Sequence, residues 1–293
     1  MNSTGNGADS GAADSGGSPL RNIGAMLLDS GKITAEDAER ALRLQKEQGL
    51  RFGDACVRLG LITQADIEQV LASQFEYPYL RPGEGNLSVS LIAAYDPFSP
   101  QVEALRALRT QLLLRWFSPQ RRSLTIVSPH RGDGRSYLIA NLAVVFSQLG
   151  ERTLVVDADM RSAHQHRIFN LDNRLGLSAV LSGRAEADCA ERIPHFADLS
   201  VLPAGVAPPN PLELLSREEF PRLLGTLAGQ FDVILVDSPC SASGSDCQAI
   251  AARTGGAVLV AREDFSRLRD LQGLAAMITS ADATVVGCVL SRH

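Results

Sequence analysis

At 293 residues with 45% hydrophobic content, the chain can build one large or two modest cores. Its net charge of −5 excludes a general affinity for nucleic-acid polymers, and no apolar run approaches the roughly 20 residues of a membrane-spanning helix. Five scattered cysteines (Cys56, Cys189, Cys240, Cys247 and Cys288) lack metal-ligand spacing and, with no basic and apolar leader at the start, give a cytoplasmic expectation.

Residues 1–19 are Gly, Ser, Ala, Asn and Asp with little to bury, which predicts a disordered N-terminus. Residues 22–45 and 51–74 form an internal repeat at an offset of 29. Gly24 matches Gly53, Gly31 matches Gly60, Ile33-Thr34 matches Ile62-Thr63, Asp37 matches Asp66, and Gln45 matches Gln74. Thr34 and Thr63 each precede an acidic, helix-patterned stretch and read as helix N-caps. Each copy is expected to be two short helices joined at a glycine. Neither copy can bury its apolar face alone, so the pair is expected to pack as one small all-α domain over 20–80. Arg81-Pro-Gly-Glu-Gly-Asn86 then opens a linker over 81–98.

Ser99-Pro100 starts a helix expected over 101–117, with Glu103, Arg106 and Arg109 along one flank. From Ser123 the pattern alternates. Strands are expected at 123–128, 153–157, 199–202, 232–237, 257–261 and 284–290, and helices at 135–149, 211–229 and 266–281. Continuous apolar strands alternating with helices predict an α/β domain over 99–293, a P-loop-type, mostly parallel sheet with helices on both faces.

Three segments of this domain carry chemistry. Ser128-Pro-His-Arg-Gly-Asp-Gly-Arg-Ser136 is a Gly- and Ser-rich turn between a strand and a helix, a cradle for phosphate. Leu154-Val-Val-Asp-Ala-Asp-Met-Arg161 and Val233-Ile-Leu-Val-Asp-Ser-Pro239 put Asp157, Asp159 and Asp237 at strand ends, where an open parallel sheet gathers its ligands. A phosphate loop beside acids that manage Mg²⁺ and water is the apparatus of nucleotide binding and phosphoryl transfer. The loop departs from G-x-x-x-x-G-K-[ST]: Pro129 stands at the first Gly, and Arg135, a rigid planar fork, at the Lys.

With these residues the stretch from about 95 to 293 resembles the bacterial tyrosine kinases, the nucleotide-binding partners of polysaccharide chain-length proteins. Glu103-x-x-Arg106-x-x-Arg109 is similar to the family's oligomer-forming helix, Asp157-Ala-Asp159-Met-Arg161 to its second Walker motif, and Asp237-Ser-Pro239 to its Walker B end. The resemblance implies ATP and Mg²⁺ as cofactors, with Gly132, Asp133, Gly134, Arg135, Ser136 and Tyr137 around the phosphates. It places Ser136, Asp157 and Asp237 about the Mg²⁺, Asp237 ordering the metal's water shell, and makes Asp157 the base or water-positioner with Asp159 nearby and Arg135 at the catalytic Lys position. It also implies a homo-oligomer that is recruited to the inner membrane by a chain-length or co-polymerase subunit and regulates exopolysaccharide export.

The family's C-terminal tyrosine cluster is not matched. The chain ends Val289-Leu-Ser-Arg-His293 and its tyrosines are Tyr77, Tyr79, Tyr95 and Tyr137, so tail autophosphorylation is not expected. ATP hydrolysis, phosphorylation of another protein and a non-catalytic nucleotide-dependent scaffold stay open. A partition-type ATPase fits less well, because His130 occupies the place of that group's early Lys. The repeat resembles the tandem module of type II secretion and pilus ATPases, some of which bind cyclic di-GMP. On that resemblance Gly24, Gln45, Arg51, Gly53 and Gln74 are candidate dinucleotide contacts, although the first copy has Asn22 where the second has Arg51. A docking domain whose glycines are helix joints is the alternative.

Overall fold

The structure is a computed structural model that describes residues 23–292, apart from 65, 68–69, 71–77 and 81–82. The expectations for residues 1–22, Gln74 and Tyr77 lie outside the described residues. The chain divides into two compact units, residues 1–77 and 78–293.

In the small unit the repeat appears as the same cap built twice. Helices α1 (Ile23–Asp29), α2 (Ala35–Gln48) and α3 (Phe52–Arg58) enclose Leu27, Ile33, Ala41, Ala55, Cys56, Ile62 and Ile67. The Thr34 Oγ1 accepts from the Asp37 amide at 3.2 Å while the Asp37 carboxylate accepts from the Thr34 amide at 3.1 Å. Thr63 and Asp66 repeat that box at 3.2 and 2.8 Å, satisfying two amides that a helix start leaves unpaired. Gly31 and Gly60 turn the chain with φ near +68° and +67°, a region side chains avoid. Gly24 and Gly53 are close-packing positions. A Cβ would sit 3.3 Å from the Phe52 ring at Gly24 and 2.9 Å from Ile67 Cδ1 at Gly53.

The large unit is built on a seven-stranded sheet in the order β3-β4-β2-β5-β1-β6-β7. Its strands are β1 (Ser123–Val127), β2 (Thr153–Asp157), β3 (Glu191–Arg192), β4 (Leu199–Leu202), β5 (Val233–Asp237), β6 (Gly256–Arg262) and β7 (Thr284–Ser291). All neighbours run parallel except the edge pair β3–β4. Helices α4 (Ile92–Tyr95), α5 (Pro100–Arg115), α6 (Arg135–Ser147), α7 (Gln165–Ile168), α8 (Leu177–Leu181), α9 (Pro211–Ser216), α10 (Glu219–Ala228), α11 (Asp246–Thr254) and α12 (Leu268–Thr279) complete it. The sheet is covered on both sides because strand residues alternate between two cores. Leu124, Ile126, Val155 and Leu235 join α5 and α6 on one face, and Leu154, Val156, Ile234 and Val236 join α8 to α11 on the other. Helix α6 buries 11 of its 13 residues, so its apolar surface runs all round rather than along one stripe.

Two expectations are corrected. Residues 83–98, read from the sequence as linker, pack on the large unit: Leu91, Ala93 and Ala94 are fully buried. The fully buried Asn141 side chain accepts from the Ala93 amide and donates to the Ser90 carbonyl, each at 2.9 Å. Polar composition signalled a linker, but a partner 48 residues away supplies the hydrogen bonds. The single helix expected over 211–229 is α9 and α10, separated by an extended Arg217 at ψ 160°. The Ser216 carbonyl is taken by Arg253 Nη2 at 3.1 Å, a tertiary cap that helix periodicity cannot reveal.

Candidate functional site

The loop from Ser128 to Gly134 joins β1 to α6, which sits against the sheet's centre. Gly132 and Gly134 adopt φ of +87° and +98°, and the backbone turns into the first residues of α6. The helix that follows has 13 residues, and the unpaired amides of its first turn favour an anion at that end. A cleft of about 370 Å³ opens above it. Its walls include Arg131, Gly132, Gly134, Arg135, Ser136 and Tyr137 of the loop and helix, with Asp159, Ser162, His164, Cys240 and Ser243 from neighbouring strand ends.

Asp133, inside the loop, is fully buried. It accepts from the His130 amide at 2.7 Å and from the Ser266 hydroxyl at 2.7 Å, which fastens the loop to the turn after β6. Asp133 therefore shapes the loop and does not line the cleft. The ring of His130, a loop residue, lies 2.9 Å from Asp270 of α12 and edge-on to the Phe265 ring.

Asp157 and Asp237 are register partners at the C-terminal ends of β2 and β5. Both are fully buried. Burial, then the neighbouring Asp237 charge, pushes the Asp157 carboxyl well above the usual carboxylate range. Burial raises Asp237 as well, against the opposing Arg135 charge and the Gln165 hydrogen bond. Asp157 accepts from the backbone amides of Asp159, His164 and Gln165 at 3.2, 2.9 and 2.9 Å. It thus holds the segment that carries Asp159, and Asp159 is the carboxylate on the cleft wall.

Gln165 was not legible in the sequence. Fully buried, it donates through Nε2 to Asp237 Oδ2 at 2.7 Å and to the Ser136 carbonyl at 3.1 Å. Its backbone amide binds Asp157, so one residue bridges all three motifs. No spacing rule marks it, because its partners lie 29 and 72 residues away. Asp237 Oδ1 and Gln165 Oε1 are buried with no hydrogen-bond partner among the described residues. A buried carboxylate oxygen in that state fits a hydrated cation beside the Ser136 hydroxyl. Among the described residues no three His, Cys, Asp or Glu side chains converge on a metal. Mg²⁺ needs no such cage, since it keeps several waters and takes one or two protein oxygens plus phosphate.

The remaining expected site residues are not among those that line the cleft. Glu103 pairs with Arg106 at 3.2 Å on α5, and Arg109 Nη1 donates to the Val145 carbonyl of α6 at 2.6 Å. In the small unit Gln45 is half-buried and Arg51 exposed, while Gly24 and Gly53 face Phe52 and Ile67.

A loop opening into a helix beside two strand-end acids, on a mostly parallel sheet with this order, defines a P-loop-type α/β protein. CapB of Staphylococcus aureus is 31% identical over 206 residues, which cover 70% of this chain and 90% of CapB. The chain belongs to the bacterial tyrosine-protein kinase family. The tyrosine-protein kinase Wzc of Salmonella typhi is 30% identical over 201 residues, 69% of this chain but only 28% of Wzc. The chain thus spans little more than a quarter of that relative. Among solved structures, the chimerical protein CapA2B2 matches with TM-score 0.65 at 34% identity, covering 76% of this chain and 97% of that one. The septum site-determining protein MinD of Pyrococcus horikoshii, complexed with Mg-ADP, matches at TM-score 0.50 and 26% identity, covering 58% and 69%. No family model matches the chain.

Proposed function

We propose that this chain binds Mg²⁺-ATP in the cleft above the Ser128–Ser136 loop and acts as a tyrosine-kinase-like ATPase that regulates exopolysaccharide polymerisation and export with a membrane partner. The observation that carries the reading is the convergence of the loop's helix N-terminus and Asp159 on one cleft, with the buried, register-paired Asp157 and Asp237 at the adjoining strand ends. The bound metal would neutralise phosphate charge as the terminal phosphoryl leaves. The amides of Gly132 to Ser136 would hold the phosphates, with the Ser136 hydroxyl and the unpaired Asp237 oxygen toward the metal's shell. Asp159, on the cleft wall, would orient the attacking hydroxyl or water, with Asp157 holding the backbone of its segment.

The test is Mg²⁺-dependent ATP binding and ADP release by the full chain, against Ser136→Ala and Asp159→Asn. We expect Ser136→Ala to weaken binding and Asp159→Asn to slow release by about 100-fold, the scale of a lost acid–base group. Turnover unchanged in Asp159→Asn would remove its role. A nucleotide-dependent scaffold is the second reading, favoured by Arg135, whose guanidinium binds the loop's His130 carbonyl and the Ser238 carbonyl after β5; steady ADP release excludes it. The resemblance supports a membrane chain-length subunit as partner, and homo-oligomerisation through the α5 face.

For the small unit, the packing of Gly24 and Gly53 supports a docking module. Cyclic di-GMP binding would instead rest on Arg51, and calorimetric heat abolished by Arg51→Ala in the full chain would establish it.

A further inference from the structure

Resting on the nucleotide-site reading, we propose that Arg135 braces the phosphate loop from within and that Arg131 is the side chain that contacts the nucleotide's phosphates.

Arg135 occupies the position where a P-loop carries Lys, yet it is only 7% exposed. Its fork is committed to the protein. Nε donates to the Ser238 carbonyl at 2.9 Å, and Nη1 donates to the Ser128 hydroxyl and to the His130 carbonyl at 3.1 Å. Those acceptors lie on both sides of the loop: Ser128 and His130 on its ascending limb, Ser238 just after β5. The guanidinium therefore ties the loop to the neighbouring strand. A lysine ammonium is a point donor and could not span both at once.

The charge of Arg135 is matched as well. Asp159 Oδ2 lies 3.8 Å from Nη2, and Arg135 is the charge that most lowers the buried Asp237. A buried cation balanced by carboxylates offers little to an incoming triphosphate.

Arg131 is the reverse case. It is exposed at the loop's crest, one residue before the left-handed Gly132, and it lines the same cleft. Among the described residues it makes no ion pair or hydrogen bond. A free guanidinium on the wall of an anion cradle suits bidentate contact with phosphate oxygens. The two departures at 131 and 135 then form one exchange, in which the loop's inner cation becomes a brace and an outer arginine takes the phosphate.

The experiment is Mg²⁺-ATP calorimetry on the full chain and on Arg131→Ala, Arg131→Lys and Arg135→Lys, with ligand-free melting temperatures for each. Arg131→Ala is expected to melt like the wild type and to bind roughly ten- to a hundredfold more weakly, the scale of one lost charge-assisted contact. Arg131→Lys should recover part of that loss. Arg135→Lys should melt several degrees lower. Wild-type affinity in Arg131→Ala overturns the phosphate role, and an unchanged melting temperature in Arg135→Lys overturns the brace. A wild type that binds no Mg²⁺-ATP removes the nucleotide-site reading itself, and the inference with it.

Discussion

Asp157 and Asp159 stand two positions apart and face different tasks because β2 ends between them. Asp157 is the strand's last residue, turned into the core against Asp237, and Asp159 follows on the loop that borders the cleft. The sequence marks both as strand-end acids, and only the hydrogen bonds separate the anchor from the cleft residue. Asp66, in the small unit, is the opposite electrostatic case. Hydrogen bonding from Lys32, then from Thr63, lowers its pKa to about 2 from an ordinary 3.8. A carboxylate whose folded pKa lies below its unfolded value stabilises the fold above the unfolded value, and the contribution is lost as pH falls through the folded one. Asp66→Ala should therefore lower the melting temperature at pH 7, and the difference from wild type should shrink between about pH 4 and pH 2. A difference that is constant with pH would show that the carboxylate's charge is not what stabilises the cap.

At the scale of elements, strands were the most legible part because each is a continuous apolar run buried on both faces. β2 and β4 coincide with the sequence expectation, and β1, β5, β6 and β7 differ by one residue at one or both ends. Helix ends were less so, since Arg217 and Arg253 decide the α9–α10 break through space. The two-residue edge strand β3 was missed, being too short to carry a pattern. One close contact fixes how α5 meets the sheet. Trp116, at the end of α5, donates from Nε1 to the Ser123 carbonyl at 2.9 Å and lies over Gly256 at the start of β6. A Cβ at Gly256 would fall 2.2 Å from Trp116 Cη2. Gly256→Ala is expected to cost about 1–3 kcal/mol by overpacking, read as a lower denaturation midpoint. Gly273, which has nothing near its Cβ position on α12, serves as control, since Gly273→Ala should be neutral or stabilising.

At the scale of the molecule, the small unit has a core of its own apart from those of the large unit, and the boundary that matters lies at residues 77–78 rather than at 98–99. A chain beginning at Pro78 is expected to keep the large unit's melting behaviour and its nucleotide binding. One beginning at Ser99 should be destabilised, because it loses Leu91, Ala93 and Ala94 from the core and leaves the Asn141 carbonyl oxygen without its donor. Loss of the buried Leu91 side chain alone is worth about 1.5–3 kcal/mol. Equal stability of the two truncations would return residues 78–98 to the status of a linker.

By itself the sequence determined the repeat, the mostly parallel α/β class, the Gly-rich strand-to-helix loop and the three strand-end aspartates, because each is written in local spacing: period, cap, turn and apolar run. It could not determine that Gln165 joins those motifs, that Arg135 is buried on protein acceptors while Arg131 is exposed at the cleft, or that residues such as Leu91, Ala93 and Ala94 belong to the core. Those depend on which distant groups share a buried volume, where an unmet donor or charge is costly, and only the packed tertiary structure decides that.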